Sequence, residues 1–558
     1  MIPDPVLFLV ELAVLTAGYR LADLAVREDG LLRALGVIGL GPGRVLVPLL
    51  GGAGLLALGW SWAAVPEGGL LRALAVVLTA LLAWKAATRD IDVVTKEVGV
   101  APRLALAASA ALVVVSPAFL LVSAVLLTRP FGTWQHHATM PMRVLLALVA
   151  FSALAPLLGP TPLGGSAAVL VFFLLLILVS HYLITALAKG YLGPRWTSWV
   201  TDNRLHHLAA SAYSWGWARF IPWPAWRRVI GVLRVLEKPM QLFAFSVELL
   251  APLALLDARL GVALCLLWAA FHVGVFLASG LLFWEWVLTD LAVAGTLVLL
   301  PASVAERAFG PVPLVVGLAF LVLFPLRHKL WRPMPLGWWD TPFTQRMHWL
   351  VEGESGTVYE VYNDFMCPHE RIYGKVHGCF LAPTRVCTYH LGEVWKHDLR
   401  DALRAAGPSL ERLEDVRDRF GIEPRSDELA ERHRAYLRSF FRAINAGATK
   451  HVLPRGLRWL KAPGGQLYHW GELPAYRGQE PAARVRVVYR EEYFDGERLV
   501  RLRDEVVEEI EVGQGPVAAA REPTPKELDD FLLGFARGRL IDLPSFGEGY
   551  VRGDDGKA

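Results

Sequence analysis

Up to about Leu326 the chain is a succession of long apolar runs joined by short links; beyond it, charged and apolar residues mix as in a water-exposed fold. A hydrocarbon layer about 30 Å thick takes roughly 20 mostly apolar helical residues to cross. The stretches 5–25, 43–64, 69–87, 104–126, 143–159, 165–188, 241–256, 260–279, 281–300 and 311–326 meet or approach that length, which predicts nine or ten crossings. Links such as Gly159-Pro-Thr-Pro-Leu-Gly-Gly165 suit tightly joined antiparallel helices. The pattern predicts a membrane all-α helical bundle over residues 1–326, followed by a soluble α+β domain over residues 327–558.

One part of the first region breaks the pattern. Residues 190–240 are too polar to span and carry Trp196, Trp199, Trp215, Trp217, Trp223 and Trp226. Indole rings concentrate at headgroup depth, so this segment is expected to form interfacial helices lying on the membrane. In the second region Thr357-Val-Tyr-Glu-Val-Tyr alternates like a strand, and 396–445 reads as charged amphipathic helices broken at Gly407-Pro408 and Gly421. An Asp495-Gly496 turn between Arg484-Val-Arg-Val-Val-Tyr and the alternating run Leu499 to Val512 predicts a hairpin, and a last helix starts near Thr524 or Pro525.

Composition narrows the reading. The 558 residues are 54% hydrophobic and 19% charged, which excludes a disordered chain, and a net charge of +4 gives no case for a nucleic-acid partner. The lipid bilayer is the first expected partner. Four cysteines do not make a disulfide scaffold, and Glu11, Arg20 and Asp23 interrupt the first apolar stretch, unlike a cleaved leader. With four crossings between Met240 and Arg327, the Trp-rich segment and the soluble domain share a face bearing Arg219, Arg227, Arg228, Arg234, Lys238, Arg327, Lys329 and Arg332. The positive-inside rule places that face in the cytoplasm and puts loop 85–103 on the opposite one.

Polar residues inside apolar runs are the candidates for chemistry. Lys189 ends a run interrupted only by Ser180, His181, Tyr182 and Thr185; His181, Thr185 and Lys189 follow at steps of four, as a stripe facing an inward pocket would. A lysine held there and kept from water can be a neutral base; at the interface it would simply extend to the headgroups. His272, Glu285 and Asp290 add polar groups on later helices, with Phe271, Phe283, Trp284 and Trp286 around them, and Glu248 is a further candidate of the same kind. Glu285 is expected either to pair with Lys189 or an arginine, or to line a cavity suited to a flat, apolar, redox-active ring such as a quinol.

Here Tyr182-Leu-Ile-Thr-Ala-Leu-Ala-Lys189 followed by Trp196 resembles the "AGxxK…W" motif of the horizontally transferred transmembrane domain. Vitamin K-dependent γ-carboxylases and their bacterial relatives share that domain, as more distantly do lipase maturation factors. Phe245-Ser-Val-Glu-Leu-Leu-Ala-Pro252, Phe271-His272 and Gly280-Leu-Leu-Phe283 are similar to further blocks of the family, and the likeness covers roughly 140–300. The resemblance implies a multi-pass enzyme in which Lys189 deprotonates a reduced quinone of the vitamin K or menaquinol type, with His272 in the pocket. His181, Thr185, Trp196, Glu248 and Glu285 would contact the substrate. It also implies an exoplasmic soluble domain, against the charge count. Ala186 stands where the motif has glycine.

Cys367, His369, His377, Cys379, Cys387 and His390 fall close together and include ligands suited to Zn²⁺, but at spacings unlike a Cys-x2-Cys pair; buried thiols and ordinary histidines are the expectation. An alternative to the enzyme is a non-enzymatic membrane scaffold or lipid-binding factor, resembling the lipase maturation factors, whose amphipathic region 396–445 engages a protein client.

Overall fold

A computed structural model describes residues 4–26, 60–95, 98–128, 138–158, 166–327, 329–362, 365, 378–388, 390–463, 466–467, 470–521 and 525–541. Most of the described chain is helical. The first helices are α1 (Asp4–Val26), α2 (Gly68–Thr88), α3 (Val100–Leu112), α4 (Ala118–Thr128), α5 (Thr139–Leu158) and α6 (Ala167–Tyr191). After them come α7 (Ser198–Asp202), α8 (Leu205–Ser214), α9 (Trp223–Leu249), α10 (Ala258–Ser279), α11 (Trp284–Val298), α12 (Ala302–Ala308) and α13 (Pro311–Leu323). Among the described residues α1, α2, α6 and α10 are long and apolar enough to cross a membrane; α11 and α12, bent by 115°, make a fifth if they count as one span.

Two expected spans take other forms. The stretch 104–126 is not one helix but the hairpin α3–α4. Pro117 offers no N–H to continue α3, and the arms are tied by a 2.7 Å bond between Ser109 Oγ and Ser123 Oγ. Arms of 13 and 11 residues reach only about 20 and 17 Å at 1.5 Å per residue. Residues 241–256 are the end of the 27-residue helix α9 and a 3-10 turn, Ala251–Leu255, so the Trp-rich segment does not stop at Met240. The run 43–64 lies mostly outside the described residues.

The hairpin also corrects the placement of loop 85–103. Read as one crossing, 104–126 sends that loop to the side opposite the C-terminal region. Instead Ile91 N donates to Lys450 O at 2.7 Å, and Asp90 pairs with Lys461 at 2.8 Å. Two of the loop's charges are also occupied: Lys85 pairs with Glu285, and Arg103 Nη1 donates to Ala87 O at 2.8 Å, closing the carbonyl end of α2.

α6 is the central helix. Ser166 caps it by accepting from Ala168 N at 3.1 Å, and nearly every residue from Ala167 to Ala186 is buried against α1, α5, α9–α13. Asp257 caps α10 in the same way, and Gly280, at φ +75°, ends it. A Cβ there would strike the Trp217 ring, so glycine lets the chain turn into Leu281–Leu282, which pairs with Gln466–Leu467.

The C-terminal region is built on a four-stranded antiparallel sheet of β1 (Phe343–Gly353), β2 (Val358–Glu360), β3 (Ala482–Phe494) and β4 (Leu499–Glu511), in the order β2-β1-β3-β4. The hairpin β3–β4 turns where expected, with Asp495 Oδ1 accepting from Glu497 N at 2.8 Å. Helices α14 (His397–Ala406), α15 (Leu410–Phe420), α16 (Asp427–Asn445) and α17 (Pro525–Ala536) follow the expected breaks. Met347, Trp349, Val351, Val485 and Val487 cover one sheet face and pack against Tyr436, Leu437, Phe440 and Phe441 of α16. The apolar side of 427–445, which suggested a client-binding surface, is thus occupied by the chain's own sheet.

Candidate functional site

Residues 329–340 form an extended strap along α6. Trp331 Nε1 donates to Ser180 Oγ at 2.9 Å, Thr185 Oγ1 to Met334 O at 3.3 Å, and Trp199 Nε1 to Trp338 O at 2.9 Å. Gly337 lies so close to the Ala188 and Lys189 backbone that a Cβ would come within 3.1 Å of Lys189 N. Asp340 then docks on Asn203, accepting from Nδ2 at 2.7 Å. Pro333 and Pro335 keep this stretch from folding back as helix.

Beneath the strap the Lys189 amine donates to both carboxylate oxygens of Glu248, at 2.7 and 2.6 Å, and both side chains are buried. The amine sits 4.5 Å from the centroid of Trp199 and 5.6 Å from that of Phe271. The expected stripe divides. At about 100° per residue Lys189 lies about 80° round the helix from His181 but only about 20° from Tyr182. His181 accordingly turns to Arg143 Nη1 at 2.6 Å and to Ile177 O at 2.7 Å, while Thr185 Oγ1 donates back to His181 O.

Tyr182 is the residue the stripe overlooked, and its seven-residue spacing to Lys189 was the available signal. It stacks on Trp268 with centroids 4.1 Å apart and donates its hydroxyl proton to Asp290 Oδ2 at 2.6 Å. Its oxygen then accepts from His272 Nε2 at 3.2 Å, which leaves His272 Nδ1 as an acceptor with no hydrogen-bond partner among the described residues. Phe283 stacks on the imidazole at 4.9 Å and Trp286 meets it edge-on at 5.3 Å. One wall of the site therefore carries an ion pair and the next a His–Tyr–Asp chain, both set among aromatic rings.

Other expected residues stand elsewhere. Trp196 is 41% exposed and packs on Gly190, Tyr191 and Phe245; Trp199 takes the place beside the amine. Glu285 pairs with Lys85 of α2, not with Lys189 or an arginine. Cys367, His369 and His377 lie outside the described residues. Cys379 and Cys387 are buried, and burial pushes the Cys387 thiol up to about 12. His390 pairs with Glu393 at 3.3 Å, and among the described residues no group of three or more His, Cys, Asp or Glu is arranged for a metal ion.

A second ionic cluster joins the sheet to the Trp-rich segment. Glu472 lies 2.8 Å from Arg219, 2.9 Å from Arg490, 3.0 Å from Arg501 and 4.0 Å from the buried Arg346. Burial works against its charge, yet the arginines outweigh it and hold this carboxyl down to about 2. Ser214 of α8 donates to Glu492 at 2.6 Å, and Trp470 N to Gly216 O at 2.9 Å. At the end of the strap, burial raises Asp340 to about 7 against the opposing bonds from Asn203 and Trp338.

No protein-family model, curated protein or solved structure matches this chain.

Proposed function

We propose that this chain is a multi-pass integral membrane enzyme in which Lys189, paired with Glu248, removes a proton from a lipid-soluble hydroxyl compound of the reduced-quinone class. The observation that carries the reading is the amine itself: buried, ringed by Trp199 and Phe271, and bonded only to one carboxylate among the described contacts. A buried ion pair is a poor way to gain stability, because desolvation of both charges offsets their attraction. In an apolar setting the shared proton can pass to the carboxyl, which leaves a neutral pair and a free amine. The amine then accepts the hydroxyl proton of the substrate, forming an ammonium and an oxyanion. His272 Nδ1 is the second acceptor, and its Nε2–H, the Tyr182 hydroxyl and Asp290 form a chain along which a proton can be handed on. Aromatic side chains around the site suit a flat apolar ring. The resemblance of 182–189, 245–252 and 271–272 to the γ-carboxylase transmembrane domain supports the same role for Lys189, and leaves open which substrate receives the oxyanion's reactivity.

The test is consumption of reduced menaquinone under oxygen by the protein in lipid nanodiscs, corrected for spontaneous oxidation. Loss of a general base lowers a rate by about 10²–10⁴-fold. Lys189→Ala/Glu248→Ala, which removes both charges and leaves neither stranded, is expected to fall by that factor while keeping a cooperative melt. Wild-type turnover in this variant would refute the proposal.

A further inference from the structure

The 3-10 turn Arg455–Leu460 contains no buried residue, and its apolar side chains Leu457, Trp459 and Leu460 are all exposed, Trp459 at 77%. In a water-facing loop this is an unusual concentration. Its position explains it. The indole of Trp84, in the last turn of α2, donates to Leu460 O at 2.6 Å; Ala462 N donates to Thr88 Oγ1 at 3.0 Å, and Lys461 pairs with Asp90. The turn is thereby fixed to the end of a helix of 21 residues, a length of about 31 Å that just matches the hydrocarbon layer. If α2 crosses the bilayer, its ends sit at headgroup depth, and so does anything bonded to Trp84. Tyr191 and Trp196, at the end of α6, are likewise exposed.

We infer that Arg455–Leu460 is a membrane-surface anchor by which the sheet-bearing region rests on the bilayer: Leu457, Trp459 and Leu460 enter the headgroup layer, and Arg455 and Arg458 meet anionic lipid phosphates. Indole rings are at home at that depth, and basic side chains near the surface are drawn to anionic lipid. The inference rests on α2 spanning the membrane and is independent of the chemistry at Lys189.

The experiment places a nitroxide on Trp459→Cys in the full-length protein, with the wild type as labelling blank. Accessibility to dissolved oxygen and to a water-soluble nickel chelate is compared with labels at Val77, half-exposed in mid-α2, and at Val517, half-exposed in the segment that follows β4. In nanodiscs containing phosphatidylglycerol, the label at 459 is expected to be several-fold less accessible to the chelate than that at 517. Arg455→Gln/Arg458→Gln should weaken that protection in phosphatidylglycerol more than in phosphatidylcholine. A lipid-buried label at 77 with a label at 459 as wet as that at 517 would overturn the anchor and leave the span standing.

Discussion

The two ionic clusters of this molecule are built on opposite plans. Glu472 is shared among Arg219, Arg490 and Arg501, with Asp504 and Glu492 supplying further counter-charges on the sheet, so no single bond decides the cluster. Lys189 has Glu248 and rings. A network at a half-exposed seam tolerates the loss of a member, and its role is to hold the sheet to the Trp-rich segment. An isolated pair in an apolar bundle is the more fragile design, and fragility of that sort is kept where the charges do something besides hold the fold.

The largest effect should come from splitting the isolated pair. Lys189→Met strands the Glu248 carboxyl and is expected to cost about 3–5 kcal/mol, whereas Lys189→Met/Glu248→Leu should recover most of it, as read from thermal melts. If the single variant melts like the wild type, the pair is not desolvated and the contrast with Glu472 disappears. Tyr182→Phe removes the hydroxyl joining His272 to Asp290, leaves two buried groups short of a bond, and should cost about 1–3 kcal/mol. The seam is predicted to answer to acid instead. The Glu472 carboxyl is lowered from 4.5 to about 2, so its contribution is present above pH 4.5 and is lost as pH falls through about 2. Glu472→Gln should flatten that part of the melting-temperature profile while leaving the proposed quinol consumption untouched; an unchanged acid limb would show that the arginines do not act on it. Smallest of all, Trp459→Ala should shift stability by no more than about 0.5 kcal/mol, since the side chain is mostly exposed.

Much of the C-terminal region could be read from the sequence because its signals are local. The Asp495-Gly496 turn, the alternation on either side of it and the breaks at Gly407 and Gly421 each act within a few residues. The apolar region gave less, since hydropathy reports length and not direction. One unrecognised turn at Pro117 made 104–126 look like a single crossing and reversed the side of loop 85–103. At the candidate site Lys189 was legible from its place in an apolar run, but its partner was not. Glu248 and Glu285 are equivalent in one dimension, and only the packing of α9 against α6 and of α11 against α2 decides between them. A stripe counted in fours also drifts round a helix of 3.6 residues per turn, which is why Tyr182 and not His181 shares the lysine's wall.

The strap has a consequence for biosynthesis. Lys189 and Glu248 are translated well before residues 329–340, so for part of its synthesis the nascent bundle presents the amine with that flank uncovered. Only when the ribosome has passed Asp340 can the last side be closed, and a chain truncated before that point would present the same helices around an open, hydrated lysine.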